Sequence, residues 1–422
     1  MNSSSVLQEE CSSTDPDWLA GLDARNLSQK PKKVLLIGFF GAPNLGDEAV
    51  ALSAMHCLAS AERAEVTVAT GNPNVTKRFI GDACQTILGR FGDLELGHFA
   101  RLILLLRRYD VFLFPGGGIL QDVHSNRLLH QSALYAIFAC LSEIPYFIVG
   151  IGVGPLKTKY AQKLARFVLA YAEQATVRDE VSLKIAREIL HEGEKLPEPG
   201  CDSALGLFSG NRQEVKTGTI GLAFREWDGL DVASLVRLVS LIRSHGKEAH
   251  FLICEEKIDT SFYSEVCKQL DVPVTITNPK TVDEARSEIA NYEGLISMRL
   301  HPLIFAIQSG IPIAALCYDP KVSELMKAFG LEDCIFSLDA KPEQLLDSIA
   351  AHRTVSSEVL SERATAVRAA FLRTLKIVNR RSSRLFIKLH AVSLLLRITI
   401  HALAHRLSRK FRKLINKPDG IR

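Results

Sequence analysis

The sequence lacks the features that mark secreted, fibrous or metal-scaffold proteins. Its 422 residues contain no CxxC pair, and nine scattered cysteines give no zinc-ligand spacing and no disulfide framework. No run of about 18 uncharged apolar residues is present, so no transmembrane helix is expected. Residues 1–30 show no apolar segment of the signal-peptide kind. We therefore expect reduced cysteines, no bound metal and a cytoplasmic location.

Composition indicates a globular chain with an unusual distribution of charge. Hydrophobic residues make up 47% and charged residues 23%, which excludes disorder along the whole length. From Arg368 to the end there are fifteen Lys or Arg and a single acid, Asp419. Since the whole chain carries only +4, the part before Arg368 is acidic. A nucleic-acid partner is therefore not expected.

Short apolar runs alternate with segments of helical periodicity from Lys33 onward, a pattern typical of βαβ units and parallel sheets. The first set of predicted strands is Val34–Gly38, Val66–Thr70, Val111–Phe114, Tyr146–Gly152 and Ala175–Arg178. The second set is Thr219–Phe224, Ala249–Cys254, Val274–Thr277, Gly294–Met298 and Ile313–Cys317.

These two sets predict an α/β protein with two doubly wound, Rossmann-like domains that face a cleft. The stretch from Gly200 to Thr219 is interpreted as the connection between them. The predicted organisation is a polar, disordered segment at 1–30, an N-terminal domain at 31–208 on the acceptor side, a C-terminal domain at 215–345 on the donor side, helices at 346–380 that pack back on the body, and a basic amphipathic tail at 381–422.

The tail combines apolar residues at helical spacing between Leu385 and Leu407 with many cations. An amphipathic helix of this kind is typical of an anchor on the inner face of an anionic membrane. The alternative is a helix that docks on the body or on another subunit, with a solvated basic end. Both interpretations remain open from the sequence.

A glycine-rich loop, Gly38–Glu48, joins the first predicted strand to a helix. It is neither a GxGxxG motif nor a Walker A loop. Glycines and a helix N-terminus at such a junction favour an anionic ligand. Asp47 and Glu48 either cap the helix or contact a sugar hydroxyl or a catalytic proton. Candidate ligand contacts in this loop are Gly41, Asn44 and Gly46.

Two further glycine-rich segments follow other predicted strands. Three such segments at the carboxyl ends of strands in one sheet converge on one crevice, and three consecutive glycines are rarely needed for a simple turn. The residues expected to contact a ligand there are Gly116, Gly117, Gly118, Gln121, Asp122, Gly152 and Gly154.

Cationic residues occupy equivalent positions. Arg178 follows the fifth predicted strand, where its planar guanidinium suits a carboxylate or phosphate; the alternative is simply a surface pair that involves Asp179 or Glu180. Ser297-Met298-Arg299-Leu300-His301-Pro302 links a buried strand to a helix that Pro302 opens. The helix start favours an anion there, with Arg299 to bind it and His301 to handle a proton. Tyr318 and Lys321 are expected in the same cleft.

Taken in order, these motifs resemble the polysaccharide pyruvyl transferase family, in particular members that modify cell-wall or exopolysaccharide sugars. The resemblance covers about residues 33–345 and rests on Gly38–Glu48, Gly116–Asp122, Gly150–Leu156, Val177–Ser182, Ser297–His301 and Tyr318–Val322. It implies a fold similar to B-type glycosyltransferases, phosphoenolpyruvate as co-substrate with no other cofactor, and a saccharide acceptor that is polymeric or lipid-linked.

The resemblance also implies roles for individual residues. Arg299 and His301 match the family's donor site, together with Ser297 and Leu300 of the same motif, and we extend that site to Arg178 and the glycine loops. His301 is expected to donate or relay a proton. Asp47 or Glu48 is the candidate base for the acceptor hydroxyl.

Two rival functions remain. A nucleotide-sugar-dependent glycosyltransferase of the B-type fold would use the same architecture, with Glu324 as a possible ribose ligand. A noncatalytic, membrane-associated scaffold is the other rival, although the intact Arg299 and His301 pair argues against it.

Overall fold

Two parallel β-sheets flanked by helices form the body of the protein, which confirms the predicted α/β class with two domains. The structure, a computed structural model, describes residues 30–60, 64–82, 84–89, 104–123, 125–210, 218–376 and 387–399. Every strand pairing among these residues that carries a sheet is parallel.

The first sheet has the strand order β3-β2-β1-β4-β6-β7-β8, and β5 pairs with β6 beyond β4. Its strands are β1 (Lys32–Phe40), β2 (Ala64–Thr70), β3 (Gln85–Leu88), β4 (Val111–Phe114), β5 (Gly117–Leu120), β6 (Tyr146–Val153), β7 (Gln174–Val177) and β8 (Glu198–Pro199). Its helices are α1 (Leu45–Ala59), α2 (Pro73–Ile80), α3 (Arg127–Ser142), α4 (Lys159–Ala170) and α5 (Glu180–Ile189).

The second sheet has the order β11-β10-β9-β12-β13-β14. Its strands are β9 (Thr219–Ala223), β10 (Glu248–Leu252), β11 (Thr275–Thr277), β12 (Gly294–Ser297), β13 (Ile313–Leu316) and β14 (Ile335–Phe336). Its helices are α6 (Val232–Ser244), α7 (Glu256–Cys267), α8 (Val282–Ala290), α9 (Leu300–Ser309), α10 (Pro320–Ala328) and α11 (Pro342–Ala350). The central strands β12 and β13 are buried throughout, as expected of strands covered on both faces.

Helix α1 lies between the two domains. Eleven of its fifteen residues are buried, so it is enclosed on nearly every side. One apolar core joins it to both domains, from Val34 in β1 to Ile289 in α8 and Ile304 in α9. Helix α12 (Ser357–Arg373) packs on the same core through Phe371. The interface is therefore apolar and continuous.

Two segments hold more regular structure than the sequence predicts. The triple-glycine segment is predicted to be a loop, but Gly117–Leu120 forms strand β5 because its backbone pairs with β6 at Ile151 and Val153. The stretch from Gly200 to Thr219 is predicted to connect the two domains. Within it, the 3-10 turn Ser203–Leu207 is entirely buried against α1, and Ser53 Oγ donates a hydrogen bond to the Ser203 carbonyl at 2.6 Å.

Residues 387–399 form a further helix, α13, which packs on the N-terminal domain. Ala391, Leu394 and Ile398 are buried in the core of that domain. The Tyr171 hydroxyl lies 2.7 Å from Nδ1 of His390. The rest of the basic tail lies outside the described residues. In the part of the chain that the structure describes, no helix is both long enough and apolar enough to cross a bilayer.

Candidate active site

The loops at the carboxyl ends of the two sheets meet at the start of helix α1, where main-chain hydrogen bonds join them. The Leu45 amide donates a hydrogen bond to the Cys254 carbonyl at 3.0 Å, and Asn44 forms an antiparallel bridge with Glu255. Asn44 also caps α1, since its Oδ1 accepts a bond from the Gly46 amide. The loop after β1 is thus bonded to the loop after β10, which brings groups from both domains together.

Two glycines in this region allow charged side chains to lie against the backbone. A Cβ atom on Gly46 would stand 2.0 Å from Nδ1 of His301, so only glycine permits the imidazole to approach the start of α1. A Cβ atom on Gly152 would stand 2.8 Å from the guanidinium carbon of Arg178. Two of the glycines predicted as ligand contacts, Gly46 and Gly152, therefore make room for the predicted site residues His301 and Arg178.

Asp47 is placed among charges from both domains. Its carboxylate faces Gly117, and burial raises its pKa to about 7, assisted by the negative charge of Glu255 and opposed by Lys321 and Arg178. A carboxyl group with a pKa near neutrality can accept and return a proton at physiological pH.

Asp202 is a part of the site that the sequence did not reveal. Its Oδ1 lies 3.9 Å from Nε2 of His301, and its Oδ2 lies 3.7 Å from the Arg178 guanidinium. Asp202 Oδ2 and His301 Nε2 are both buried, and neither has a hydrogen-bond partner within the described residues. Burial lowers the pKa of His301, and the Asp202 charge opposes that effect. We call Asp47, Arg178, Asp202, Glu255, His301 and Lys321 the cleft cluster.

Arg299 is held inside the C-terminal domain. Its guanidinium donates to Asp259 and, at 3.4 Å, to Glu255. The Asp259 carboxylate is fully buried and also accepts hydrogen bonds from the Cys254 and Glu255 amides. This pair binds the loop after β12 to the start of α7. His301 then projects from the same motif toward the N-terminal domain.

Glu48 has partners of its own within the N-terminal domain. Its Oε1 accepts hydrogen bonds from the Gly41 amide at 2.7 Å and from the Thr76 hydroxyl at 3.4 Å. Burial raises its pKa to about 8, so the neutral form predominates at pH 7. Of the two candidate bases, Asp47 is the one surrounded by the cleft cluster.

Several other predicted site residues stabilise loops. Gln121 accepts a hydrogen bond from the Val123 amide, and Asp122 accepts bonds from Lys157 and Thr158. Ser297 Oγ accepts a bond from the Arg299 amide, and Leu300 is buried. Glu324, the possible ribose ligand, pairs with Lys327 at 3.0 Å.

The remaining predicted glycines differ in how much room surrounds them. A Cβ atom would meet Ser203 at Gly116, the Asn72 backbone at Gly41, and Ile185 at Gly154. Gly118 is exposed, and a Cβ atom there would meet nothing within 4 Å. Gly118 is thus the one of these four where the backbone is open to solvent.

Two residues of the cleft cluster escaped the sequence analysis for different reasons. Asp202 follows β8, a strand of only two residues without an apolar run, so no periodicity marks it. Glu255 directly follows the apolar run that ends at Cys254. The rule that ligands bind beyond the carboxyl ends of strands could have identified Glu255.

Comparison with known proteins identifies the family of this chain. The sequence profile described as "Polysaccharide pyruvyl transferase" matches residues 44–320, which include every member of the cleft cluster except Lys321. The chain belongs to the polysaccharide pyruvyl transferase family. The resemblance drawn from the motifs is thereby confirmed.

A curated relative of this pyruvyl transferase family member is the amylovoran biosynthesis protein AmsJ of Erwinia amylovora. The two chains are 23% identical over 261 residues, which is 54% of this chain and 61% of AmsJ. The chain therefore spans less than two thirds of the relative's length.

Solved structures similar to this pyruvyl transferase family member share its fold. HepE from Anabaena, solved with UDP-glucose, has a TM-score of 0.50 at 12% identity and covers 87% of this chain and 100% of its own. The UDP-GlcNAc 2-epimerase of Methanocaldococcus jannaschii has a TM-score of 0.55 at 12% identity, over 81% of this chain and 99% of its own. The architecture is thus similar to that of B-type glycosyltransferases, as predicted.

The buried pair of Arg299 and Asp259 should contribute strongly to stability. Replacing Asp259 with Asn leaves the Arg299 charge buried with only Glu255 beside it, and we expect a loss of about 3–5 kcal/mol in the free energy of unfolding. Asp283→Asn is the matched control, because Asp283 pairs with Arg286 at the surface and its loss should cost less than about 1 kcal/mol. Urea unfolding followed by circular dichroism measures both, and equal losses would contradict this account.

Proposed function

We propose that this protein transfers a pyruvyl group from phosphoenolpyruvate to two hydroxyl groups of one sugar, in a polysaccharide or its lipid-linked precursor. The observation that carries the proposal is the cleft cluster, which combines cations, a buried imidazole and a carboxyl of pKa about 7 in a member of this family. AmsJ, named for amylovoran biosynthesis, supports a saccharide acceptor.

The charges suit this donor. Phosphoenolpyruvate carries a phosphate and a carboxylate, and Arg178 and Lys321 supply charge-assisted hydrogen bonds for such groups. His301 Nε2 is buried without a partner within the described residues, so an acceptor atom of the ligand would satisfy it. In the free protein burial lowers the pKa of His301, whereas a bound phosphate would raise it and favour the imidazolium form.

The reaction balances with the groups present. A proton from His301 adds to the methylene carbon, which becomes the methyl group, and C2 develops positive charge. A first sugar hydroxyl attacks C2, assisted by proton transfer to Asp47. The carbon–oxygen bond to phosphate then breaks, and a second hydroxyl of the same sugar closes the ketal. Of the two hydroxyl protons, one restores the proton that His301 gave to the methyl group. The other protonates the phosphate that leaves.

Purified protein should release phosphate from phosphoenolpyruvate only when an acceptor is present. A panel of p-nitrophenyl glycosides with free hydroxyl pairs serves as acceptor, and mass spectrometry should detect a gain equal to one pyruvyl ketal. His301→Gln should lower turnover by at least about 100-fold because it removes proton transfer. The exposed His191→Gln variant is the matched control and should retain activity.

The same panel separates the proposal from its rival. If nucleotide sugars are supplied in place of phosphoenolpyruvate and the acceptor gains a hexose, the protein is a glycosyltransferase and the proposal is wrong. His301→Gln with full turnover would instead remove His301 from the mechanism. Circular dichroism of both variants establishes that folding is unchanged.

We also propose that the protein works at an anionic membrane surface on the cytoplasmic side. Helix α13 is docked through one face, while Leu389, Val392 and Leu396 on its other face are 61%, 45% and 59% exposed. Exposed Arg397 belongs to the same helix, and seven cations against one acid follow residue 399 in the sequence. Apolar side chains beside excess positive charge are suited to anionic lipid.

Vesicle sedimentation tests this location. The protein should bind vesicles of phosphatidylglycerol and phosphatidylcholine but not phosphatidylcholine alone, and the double variant Leu389→Ser/Leu396→Ser should lower the bound fraction severalfold. Leu196→Ser, at a leucine 49% exposed elsewhere on the N-terminal domain, is the matched control. Unchanged vesicle binding of the double variant would reject the membrane proposal. A wild-type protein that is a dimer in light scattering, and that the double variant converts to a monomer, would reject it as well.

A further inference from the structure

Two aromatic rings and two cations form a group beside the cleft cluster that the proposed reaction does not use in full. The ring centroids of Trp227 and Tyr318 are 4.7 Å apart, with their planes at 68°. The Arg225 guanidinium lies 5.6 Å from the centroid of Trp227, and Lys321 Nζ lies 5.2 Å from that of Tyr318. We call these four residues the aromatic platform. Each ring has a cation over it, as in cation–π pairs.

The topology of the second sheet places the aromatic platform next to the catalytic motif. Arg225 follows β9 and Tyr318 follows β13, the two strands that flank β12, whose end leads to His301. The Arg225 amide donates a hydrogen bond to the Met298 sulfur at 3.3 Å, so the loop after β9 is held at the end of β12. Lys321 belongs both to the platform and to the cleft cluster, so the two groups adjoin.

Arg225 retains unused capacity to bind a ligand. Its Nε is buried and has no hydrogen-bond partner among the described residues, where Arg225 also forms no ion pair within 4.0 Å. Trp227 and Tyr318 are only partly buried. A folded protein rarely leaves a buried guanidinium N–H unsatisfied, and such atoms often mark the position of a ligand or water. The platform therefore offers ring surface and a cation together.

We infer that the aromatic platform is the acceptor subsite and that it binds an acidic saccharide, although it lies on the C-terminal domain, which is predicted from the sequence to be the donor side. The C–H face of a sugar ring packs on the flat apolar surface of Trp227, with Tyr318 beside it at an angle of 68°. A carboxylate or phosphate of the same saccharide accepts hydrogen bonds from Arg225. The name acceptor rests on the proposed pyruvyl transfer, but the binding of an acidic sugar does not. Phosphoenolpyruvate has three carbons and no ring, so it shares Lys321 with the platform but needs neither aromatic ring.

The sequence provides a direct reporter for the test. Its two tryptophans are Trp18 and Trp227, so the variant Trp18→Phe leaves Trp227 as the sole indole. This full-length variant is titrated with glucuronate and glucose 1-phosphate, which carry the anion as a carboxylate or a phosphate, and with glucose. At least one acidic sugar should change Trp227 emission with an affinity about tenfold higher than glucose, since a charge-assisted hydrogen bond is added. Whichever acidic sugar binds more tightly identifies the anionic group.

Arg225→Met in the same background should abolish the tenfold preference for the acidic sugar. Arg237→Met is the matched control, because Arg237 is exposed on α6 and pairs only at the surface, with Asp231. Equal affinities for acidic and neutral sugars, or a preference that survives Arg225→Met, would overturn the inference. Tighter binding of UMP would identify a nucleotide site, and an Arg225-dependent response to phosphoenolpyruvate would identify a donor site; either result would also overturn it.

The outcome is separable from that of the pyruvyl transfer assay. His301→Gln in the Trp18→Phe background should bind the acidic sugar unchanged, because His301 is not part of the platform. Protein that binds acidic sugars but never consumes phosphoenolpyruvate would refute the proposed reaction and leave the saccharide subsite intact. Protein that forms ketals without an Arg225-dependent sugar response would refute the subsite alone.

Discussion

The approach of the start of helix α1 to the C-terminal domain is the constraint on which the site depends. The Leu45 amide bonds to Cys254, and the next residue, Gly46, lies directly against the His301 ring. The imidazole therefore comes from one domain and the surface it rests on comes from the other. Asp47 follows Gly46 in the first turn of α1, so its carboxylate is positioned by the same contact. Without the approach of the two domains, neither group would have its present surroundings.

The apolar layer between the domains stabilises the contact between the start of helix α1 and the C-terminal domain. Helices α1, α8, α9 and α12 contribute to one core that spans both sheets. Polar contacts add to it, because Gln308 donates to the Ala204 carbonyl and Arg286 donates to the Leu207 carbonyl. Domains joined by a large hydrophobic interface do not move independently by default. The geometry of the cleft cluster is consequently a property of the fold.

The fold could be predicted from the sequence because its strands are short apolar runs in a regular alternation. The run Val111–Phe114 was predicted with the bounds that the structure shows, and it is buried throughout. Strands β8 and β14 contain two residues each, too few to form a periodic pattern. Strand β5 escaped because glycines argue against regular structure, although its pairing with β6 needs only backbone.

The site residues that could be predicted are likewise those that lie next to a regular apolar run. Asp47, Arg178 and His301 lie at junctions of a predicted strand with a helix, and the structure brings them together. Asp202 belongs to a segment without such a junction, so its position depends on tertiary packing that no local pattern encodes. The partners of Arg299 could not be predicted either, because Asp259 lies on α7, some forty positions earlier in the chain.

The two arginines of the predicted donor site differ in how fully nearby carboxylates neutralise their positive charge. Arg299 faces the buried carboxylate of Asp259 and has Glu255 beside it, so its charge is matched inside its own domain. Arg178 has Asp179 at 3.0 Å and Asp202 at 3.7 Å, but Asp202 Oδ2 remains without a hydrogen bond in the described structure. The long contact between Arg178 and Asp202 can be exchanged for a contact with a ligand. If Arg299 exchanged its contact with Asp259 in the same way, the buried charge of Asp259 would lose its cationic partner. On this reasoning we expect an anion to be bound by Arg178 and by Lys321, which pairs with the partly exposed Asp319 at 3.2 Å, and we expect Arg299 to hold the loop from which His301 projects.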